Sequence, residues 1–153
     1  MLDYVFTRPG EPLYGGECDL RFRVLREPLG YTRDAVAFPF EDDSLHLVAT
    51  EGDRVVGCVL FHPDGVGGGR LFQMAVDPAL QGQGVGRALV DRLEAHLLTI
   101  GITQVILHAR HHAIGFYERL GYRCFGAPYE EVGIPHRNMR KALDPPPADP
   151  SVA

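Results

Sequence analysis

The chain has 153 residues, of which 45% are hydrophobic and 23% charged, a balance typical of one globular domain with its own core. No apolar stretch approaches the roughly 20 residues that cross a bilayer, and no basic region followed by an apolar stretch marks a signal peptide. The net charge is −5 and Lys141 is the only lysine, which argues against a nucleic-acid partner and weakly favours a cationic substrate such as an amine.

The first half of the chain predicts a strand, a helix, an irregular loop and three further strands. Tyr4 to Thr7 is the first strand, and a helix over Gly15 to Leu29 follows, which Pro28 ends or kinks. The loop from Gly30 to Asp43 mixes aromatic residues, prolines and acids without a clean period. Alternating and β-branched residues then predict strands over residues 45–50, 54–62 and 71–76.

The second half begins with a long amphipathic helix that Gly101 is suited to cap. Its apolar stripe consists of Val85, Leu89, Leu93, Leu97 and Ile100. A strand over residues 104–109, a helix over His112 to Leu120 and two strand-like segments around residues 132–135 complete the order. The predicted fold is therefore a mixed sheet flanked by helices, α/β in class with α+β character.

The last ten residues, Asp144 to Ala153, contain four prolines and little apolar surface. Such a composition predicts a flexible tail that follows a single domain over residues 1–143. The three cysteines, Cys18, Cys58 and Cys124, form no C-x-x-C pair. They favour free thiols and a reducing cytoplasm.

A glycine-rich loop, Gln81-Gly82-Gln83-Gly84-Val85-Gly86, joins a predicted strand to the long helix. Glycine lets the backbone turn sharply and approach a ligand closely. The first N–H groups of a helix lack internal acceptors and lie in positive potential, so this loop is suited to a pyrophosphate. Arg87 in the first turn can add a charged contact.

Other interpretations of the loop fit less well. A Walker A loop needs a lysine and a Ser or Thr after its last glycine, and this loop has neither. The dinucleotide pattern G-x-G-x-x-G fails because Gly86 comes one residue early. A turn that only joins a strand to a helix remains an alternative on the loop alone.

The segment from Leu71 to Leu89 resembles the acetyl-CoA-binding segment of the GNAT superfamily of N-acetyltransferases. The family signature, Gln/Arg-x-x-Gly-x-Gly/Ala, is matched by Gln81, Gly84 and Gly86. The resemblance implies a mixed, mostly antiparallel sheet of about six to seven strands, in which the strand before the loop separates from its neighbour at a bulge. It also implies that this strand pairs with pantetheine and that the loop amides hold the pyrophosphate. The implied cofactor-binding residues are Met74, Ala75, Val76, Gln81, Gly82, Gln83, Gly84, Val85, Gly86, Arg87 and Tyr117.

A second segment, His108 to Tyr122, resembles the other motif of the superfamily. The matching residues are Ala113, Phe116, Tyr117, Gly121 and Tyr122. Arg110 stands where the family has an asparagine. The resemblance makes Tyr117 the candidate general acid for the departing thiolate, with a core tyrosine as the alternative. Two short stretches, residues 20–26 and 133–139, look like the ElaA-like branch.

The implied reaction is direct attack of a primary amine, on a small molecule or a peptide, at the thioester of acetyl-CoA. Strand N–H groups polarise the carbonyl, and positioning of the reactants supplies much of the remaining rate. The ammonium must first lose a proton, so a base is needed. His136 and Glu27 are candidates, besides Glu130 and Glu131, and for each a solvated surface charge is the alternative.

His108, His111 and His112 invite a metal interpretation. On an extended strand, residues 108 and 112 share one face and residue 111 the other, and no carboxylate or cysteine stands nearby in the sequence. The sequence therefore predicts no metal site, and solvated or substrate-facing histidines are expected.

Three hypotheses of function follow. The leading one is an acetyl-CoA-dependent N-acetyltransferase that acts as a monomer or homodimer in the cytoplasm, without a nucleic-acid or membrane partner. The second is a non-catalytic acyl-CoA-binding regulatory module, which would keep the loop without turnover. The third is a nucleotide-binding regulatory domain, and the failed Walker and dinucleotide spacings count against it.

Overall fold

The computed structural model describes residues 1–144 of the chain, with a seven-stranded sheet at the centre. The strands are β1 (Asp3–Thr7), β2 (Leu45–Glu51), β3 (Arg54–Pro63), β4 (Gly68–Val76), β5 (Gln104–Arg110), β6 (Arg123–Glu131) and β7 (Ile134–Ala142). The helices are α1 (Pro12–Arg21), α2 (Val85–Thr99) and α3 (Ile114–Arg119). No helix within these residues is long and apolar enough to cross a membrane. The predicted tail, apart from Asp144, lies outside the described residues.

The strands lie side by side in the order β1-β2-β3-β4-β5-β7-β6. β4 and β5 run parallel, whereas every other neighbouring pair of this sheet is antiparallel. A parallel pair needs a long crossover connection, and α2 provides it between β4 and β5. This mixed, mostly antiparallel sheet with flanking helices confirms the predicted fold class and the predicted order of elements.

Helix α1 begins three residues before the predicted start at Gly15, so that boundary was wrong. Pro12 occupies the first helical positions, where its missing N–H leaves no hydrogen bond unmade. The chain continues through a π-helical turn (Phe22–Arg26) and a 3-10 turn (Glu27–Leu29). Gly30, with a φ of 83°, ends the helical segment, which confirms the predicted end at Leu29.

Helices cover the two faces of the sheet unequally. α2 and α3 pack on one face, where Leu89, Leu93 and Leu97 are fully buried. α1 packs on the other face over β3, and its Leu20 belongs to a smaller buried cluster. Ile100 was predicted to continue the stripe of α2, but it is 50% exposed because the helix ends at Thr99 and the helical spacing ends with it.

Candidate functional site

The parallel strands β4 and β5 are joined over only part of their length. Residues 68–71 pair with residues 104–107, and beyond Leu71 and Leu107 the two strands separate. β4 nevertheless continues to Val76 and β5 to Arg110. The side of β4 that faces this gap has backbone groups available to pair with an extended ligand. The predicted pantetheine-binding residues Met74, Ala75 and Val76 lie on this stretch.

A bulge in β4 begins where the gap opens. Cys58 pairs with Ala75 and Leu60 with Phe72, so two residues of β4 stand opposite one residue of β3. At the bulge Gln73 takes a positive φ of 53°, which is uncommon for a residue other than glycine. The Cys58 thiol donates to the backbone carbonyl of Gln73 at 3.4 Å, so β3 helps to hold the bulge in place.

The glycine loop ends in backbone amides that make no hydrogen bonds with described residues. Gly82 and Gly84 have φ values of 81° and 84°, and nothing lies within 4 Å of the Cβ that either residue lacks. Gly84 is the N-cap of α2, and the N–H groups of residues 84–87 have no acceptor within residues 1–144. Together with the helix dipole, these amides form a site suited to a pyrophosphate.

The polar side chains of the loop divide into two kinds. The Gln81 amide donates to the carbonyl of Val76 at 3.2 Å, and the Gln83 amide donates in the same way to the preceding turn at 3.4 Å. Arg87 is 67% exposed and lies 3.7 Å from Asp91, its neighbour one turn along α2. The two glutamines therefore shape the loop, whereas the guanidinium of Arg87 is accessible to a phosphate.

Tyr117 lies on the buried side of α3, close to β5, and is 6% exposed. Its ring centroid is 5.0 Å from that of Phe116 and 5.7 Å from that of Tyr122. The Tyr122 hydroxyl donates to Glu94 at 2.8 Å, whereas the Tyr117 hydroxyl has no hydrogen-bond partner among the described residues and is not fully enclosed. Burial raises the pKa of Tyr117, so its phenol keeps a proton at neutral pH.

On the face of the sheet opposite Tyr117, three strands bring His108, Glu131 and His136 together. His108 Nδ1 lies 3.0 Å from Glu131 Oε1, and His136 Nε2 lies 3.6 Å from Glu131 Oε2. His136 Nδ1 donates to the carbonyl of Ile134 at 2.7 Å. When Nδ1 of His108 donates to Glu131, its Nε2 carries a lone pair that can accept a proton.

This cluster borders the closed end of the gap, because His108 is the first residue of β5 beyond its last pair with β4. Two features of the β6–β7 hairpin place Glu131 there. Val132 and Gly133 form its turn with φ values of 47° and 74°. The pairing of β6 with β7 is irregular between Phe125 and Tyr129, and it resumes where Tyr129 pairs with His136.

The predicted bases are placed very differently. Glu27 is exposed in its 3-10 turn and Glu130 is exposed on β6. His136 is only 3% exposed, so the alternative of a solvated surface charge is wrong for this residue. Glu131 is 40% exposed at its side chain and contacts both histidines.

Two expectations about the histidines near residue 110 need correction. A carboxylate does stand beside His108, because the β6–β7 hairpin folds Glu131 onto it. The strand alternation does not extend to His111 and His112, because β5 ends at Arg110 and a 3-10 turn (His111–Ala113) follows. The only signal in the sequence was that His108 and Glu131 each lie in or near a strand-like segment. The pairing of β5 with β7 was needed to show that they come together.

Arg110, at the position of the family asparagine, reaches the end of the first helical segment. Its Nη2 donates to the carbonyl of Leu25 at 3.2 Å. This bond links the end of β5 to the π-helical turn that follows α1.

The family of the chain follows from this geometry and from a direct comparison. Residues 31–143 match the model of a family described as an acetyltransferase (GNAT) domain. The chain belongs to this acetyltransferase family.

Individual relatives agree with this assignment. The mycothiol acetyltransferase of Geodermatophilus obscurus is 37% identical over 95 residues, which make up 56% of this chain and 31% of that protein. The chain therefore spans about a third of the length of that relative. A Lactobacillus plantarum protein classed as an N-acetyltransferase superposes with a TM-score of 0.83 at 26% identity, covering 93% of this chain and 98% of that one. Escherichia coli ElaA has the same fold, with a TM-score of 0.80 at 21% identity over 92% of this chain and 99% of its own.

Proposed function

We propose that this chain transfers the acetyl group of acetyl-CoA to a primary amine of a small molecule or peptide. The observation that carries the proposal is the unpaired stretch of β4 beside a helix N-terminus whose amides lack acceptors. Acetyl-CoA has an extended arm with amide groups and a pyrophosphate at its end, so it complements both features. Membership of an acetyltransferase family supports the same chemistry.

The donor lies along β4 in this proposal. Backbone groups of Met74, Ala75 and Val76 pair with pantetheine, and the amides of Gly82 and of residues 84–87 hold the pyrophosphate. Gln81 and Gln83 shape the loop, and the backbone N–H of Gln83 already donates within it. Gly86 allows α2 to pack closely on α3, because a Cβ there would lie 3.2 Å from the Phe116 ring. Arg87 adds a positive charge at the exposed side of the phosphates.

The acceptor amine approaches from the face that carries α1, because α2 and α3 fill the other face. His108 takes the proton of the ammonium on Nε2, and Glu131 holds the ring and stabilises the imidazolium that forms. His136, a candidate base from the sequence, contacts the second carboxylate oxygen of Glu131 in this arrangement and helps to orient it. Glu27 has no hydrogen bond or ion pair with this cluster among the described residues.

The leaving sulfur is protonated from the opposite face. The amine nitrogen forms a bond to the carbonyl carbon, the C–S bond breaks, and Tyr117 gives its proton to the thiolate. The raised pKa of Tyr117, caused by burial, keeps that proton in place until the sulfur becomes negative. Two protons leave the nitrogen: His108 takes the first before the attack and releases it to solvent, and the second, lost as the amide forms, passes through solvent to the Tyr117 phenolate and restores its phenol.

We also propose that residues 1–143 act as one domain in the cytoplasm. Three cysteines without a disulfide within residues 1–144 support a reducing compartment. The acceptor amine, rather than a nucleic acid or membrane, is the partner in this proposal, and sedimentation would distinguish a monomer from a homodimer.

The donor site is tested by Gly84→Asp, which places a negative charge at the proposed pyrophosphate position. Loss of acetyl-CoA binding in calorimetry is expected, and the strain of a side chain at a φ of 84° should lower the unfolding midpoint by a similar amount in the variant and in its control. Gly101→Asp is the matched control, because Gly101 has a φ of 81° and open space around it but lies at the other end of α2. Equal affinity in both variants would contradict the assignment of the loop.

Turnover separates this function from a non-catalytic acyl-CoA-binding module. Acetyl-CoA should raise the unfolding midpoint whereas ATP and NAD should not, since only a ligand of the native state stabilises it. Thiol release is then measured across a panel of amines and peptides. Binding without release for any acceptor would favour the module.

A further inference from the structure

Two arginines converge on one backbone carbonyl beside the gap. Arg26 Nη1 and Arg110 Nη2 each donate to the oxygen of Leu25 at 3.2 Å. Arg26 ends the π-helical turn after α1, and Arg110 ends β5, so the two residues come from separate elements. Both residues are of intermediate exposure and are therefore accessible to a ligand.

Neither guanidinium has a carboxylate partner within residues 1–144. Other arginines of the chain do: Arg21 lies 2.8 Å from Glu41, Arg33 lies 3.1 Å from Asp19, and Arg54 lies 2.6 Å from Asp77. A guanidinium carries five N–H donors, and Arg26 and Arg110 each use one on Leu25. Most of their hydrogen-bonding capacity remains available.

The electrostatic environment favours an anion between them. Burial lowers the pKa of both groups, and for Arg26 the positive charges of Arg110 and Arg21 lower it further. Glu131 is the nearby negative charge and acts in the opposite direction on both arginines. Two cations held side by side repel, and a bound anion relieves that repulsion.

A purely structural role explains only part of this arrangement. The last carbonyls of a helix lack internal donors, and an arginine commonly binds them. One guanidinium is enough to give the Leu25 carbonyl a donor, although its two lone pairs can accept from both. A second, delivered from β5, adds charge where the helix end needs none.

The position relative to the proposed base suggests the ligand. Arg110 follows His108 by two residues on β5, and both side chains point to the same face of the sheet, roughly 7 Å apart along the strand. We propose that Arg26 and Arg110 bind a carboxylate of the acceptor, so that the acceptor is an amine a few bonds away from an acid, such as a free amino acid. This inference rests on the proposed function and specifies its substrate class.

The experiment uses matched acceptors that differ only in the acid. Acetylation of α-, β- and γ-amino acids and of their carboxamides is measured with the wild type, Arg26→Gln and Arg110→Gln. Each variant should lower kcat/KM for the preferred acid by about ten- to a hundredfold, mainly through KM, because a charge-assisted bond is lost. The kcat/KM for the carboxamides and the KM for acetyl-CoA should change little. Comparing variant with wild type on the same acceptor cancels the difference in amine basicity.

Arg33→Gln is the matched control, since Arg33 is an exposed arginine of the same face that already has Asp19 as its partner. It should leave acids and carboxamides unchanged. Equal loss for acids and carboxamides in the Arg26 and Arg110 variants would overturn the carboxylate site while the transfer reaction stands. A weaker KM for acetyl-CoA alone would also overturn the carboxylate site, because it would mean that the two arginines bind the donor.

A binding measurement tests the carboxylate site even if the protein acetylates none of these acceptors. The unfolding midpoint of the acetyl-CoA complex is then measured with each acid and carboxamide added. A rise with an acid, absent with its carboxamide and absent in both arginine variants, would support the anion site although the proposed reaction had failed. No rise with any acid would overturn the site.

Discussion

Glutamate and histidine form two clusters on the face of the sheet that carries α1, and the two clusters differ in whether their charges are satisfied. The buried cluster consists of Glu17, Arg21, Glu41 and His46, all at most 5% exposed. The open cluster consists of His108, Glu131 and His136, with the side chain of His108 25% and that of Glu131 40% exposed. The same residue types therefore serve two purposes in one fold.

In the buried cluster nearly every polar atom has a partner. Arg21 donates to Glu17 and Glu41 at 2.8 Å and to the carbonyl of Val36. His46 uses both ring nitrogens, Nδ1 with Glu17 at 2.9 Å and Nε2 with the carbonyl of Glu41 at 2.9 Å. Such saturation stabilises one arrangement of α1 and the loop that follows it, and leaves no group for chemistry.

The difference also bears on metal binding. Ligand atoms of Glu17, Glu41 and His46 lie within 4.8 Å of one another, as they would around a cation. Arg21 already supplies the positive charge for both carboxylates. In the open cluster, by contrast, His108 Nε2 has no partner among the described residues, which is the property a base requires.

The largest expected effect is on the rate, from the open cluster. His108→Gln should lower kcat by about 10²–10⁴-fold, the usual contribution of a general base. The unfolding midpoint should change little, because the side chain is partly exposed. Steady-state kinetics and thermal unfolding measure the two quantities.

Glu131→Gln should lower the rate as well, and the chain offers a matched control. Glu130 is adjacent, exposed and on the opposite side of β6, so Glu130→Gln should leave the rate unchanged. If the two glutamine variants had the same rate, the open cluster would have no catalytic role and the comparison would fail.

The next effect is on stability, from the buried cluster. Arg21→Met leaves Glu17 and Glu41 without their cation and should lower the free energy of unfolding by about 3–5 kcal/mol. Chemical denaturation with urea measures this change. Arg33→Met, which breaks an exposed pair with Asp19, is the control and should be nearly neutral. Similar losses in the two variants would show that burial of the cluster is not what makes Arg21 important.

A smaller effect concerns the pH dependence of stability. Burial alone would lower the pKa of His46, but the hydrogen bond and charge of Glu17 outweigh it, so the pKa is raised. Glu41 adds to the rise and Arg21 lies beside both carboxylates. A raised pKa in the folded state means that this contribution is full below about pH 6.5 and is lost as the pH rises through the folded value.

The test compares how steeply the free energy of unfolding changes with pH, rather than its absolute value. The free energy of unfolding of the wild type should fall from about pH 6.5 upwards relative to that of His46→Gln. His112→Gln, at an exposed histidine, should keep the wild-type slope. Parallel curves for the wild type and His46→Gln would mean that His46 does not titrate differently on folding.

The smallest effect is expected at the edge of the open cluster. His136 Nε2 is 3.6 Å from Glu131, too far for a strong hydrogen bond, and Nδ1 is held by Ile134. His136→Gln should lower the rate by less than about tenfold with no change in the KM for acetyl-CoA. A loss as large as that of His108→Gln would exchange the roles of the two histidines.

Features that are local in the sequence were predictable. Hydrophobic spacing identified α2, and glycines identified the loop and the helix ends, because periodicity and backbone freedom are properties of a few neighbouring residues. The order of helices and strands along the chain followed from the same signals. The exceptions were local too. Helix α1 begins earlier in the chain than predicted, at Pro12, and Ile100 lies beyond the last turn of α2.

Both clusters depend on contacts that no local pattern contains. Glu17 and Arg21 are one helical turn apart and could be paired from the sequence, but Glu41 and His46 reach them only through the packing of a loop and β2. His108 and Glu131 are separated by 23 residues and meet because β7 lies between β5 and β6. The bulge at Gln73 likewise depends on the pairing of β3 with β4.

The irregularity in β6 that places Glu131 also affects how molecules meet in solution. β6 is the last strand of the sheet, and a regular edge strand can pair with the edge of another molecule. Gly126 and Pro128 interrupt β6 near its middle, and Pro128 has no N–H to offer a neighbour. Concentrated solutions of the protein should therefore resist edge-to-edge aggregation through β6, and a homodimer should use a surface other than this strand.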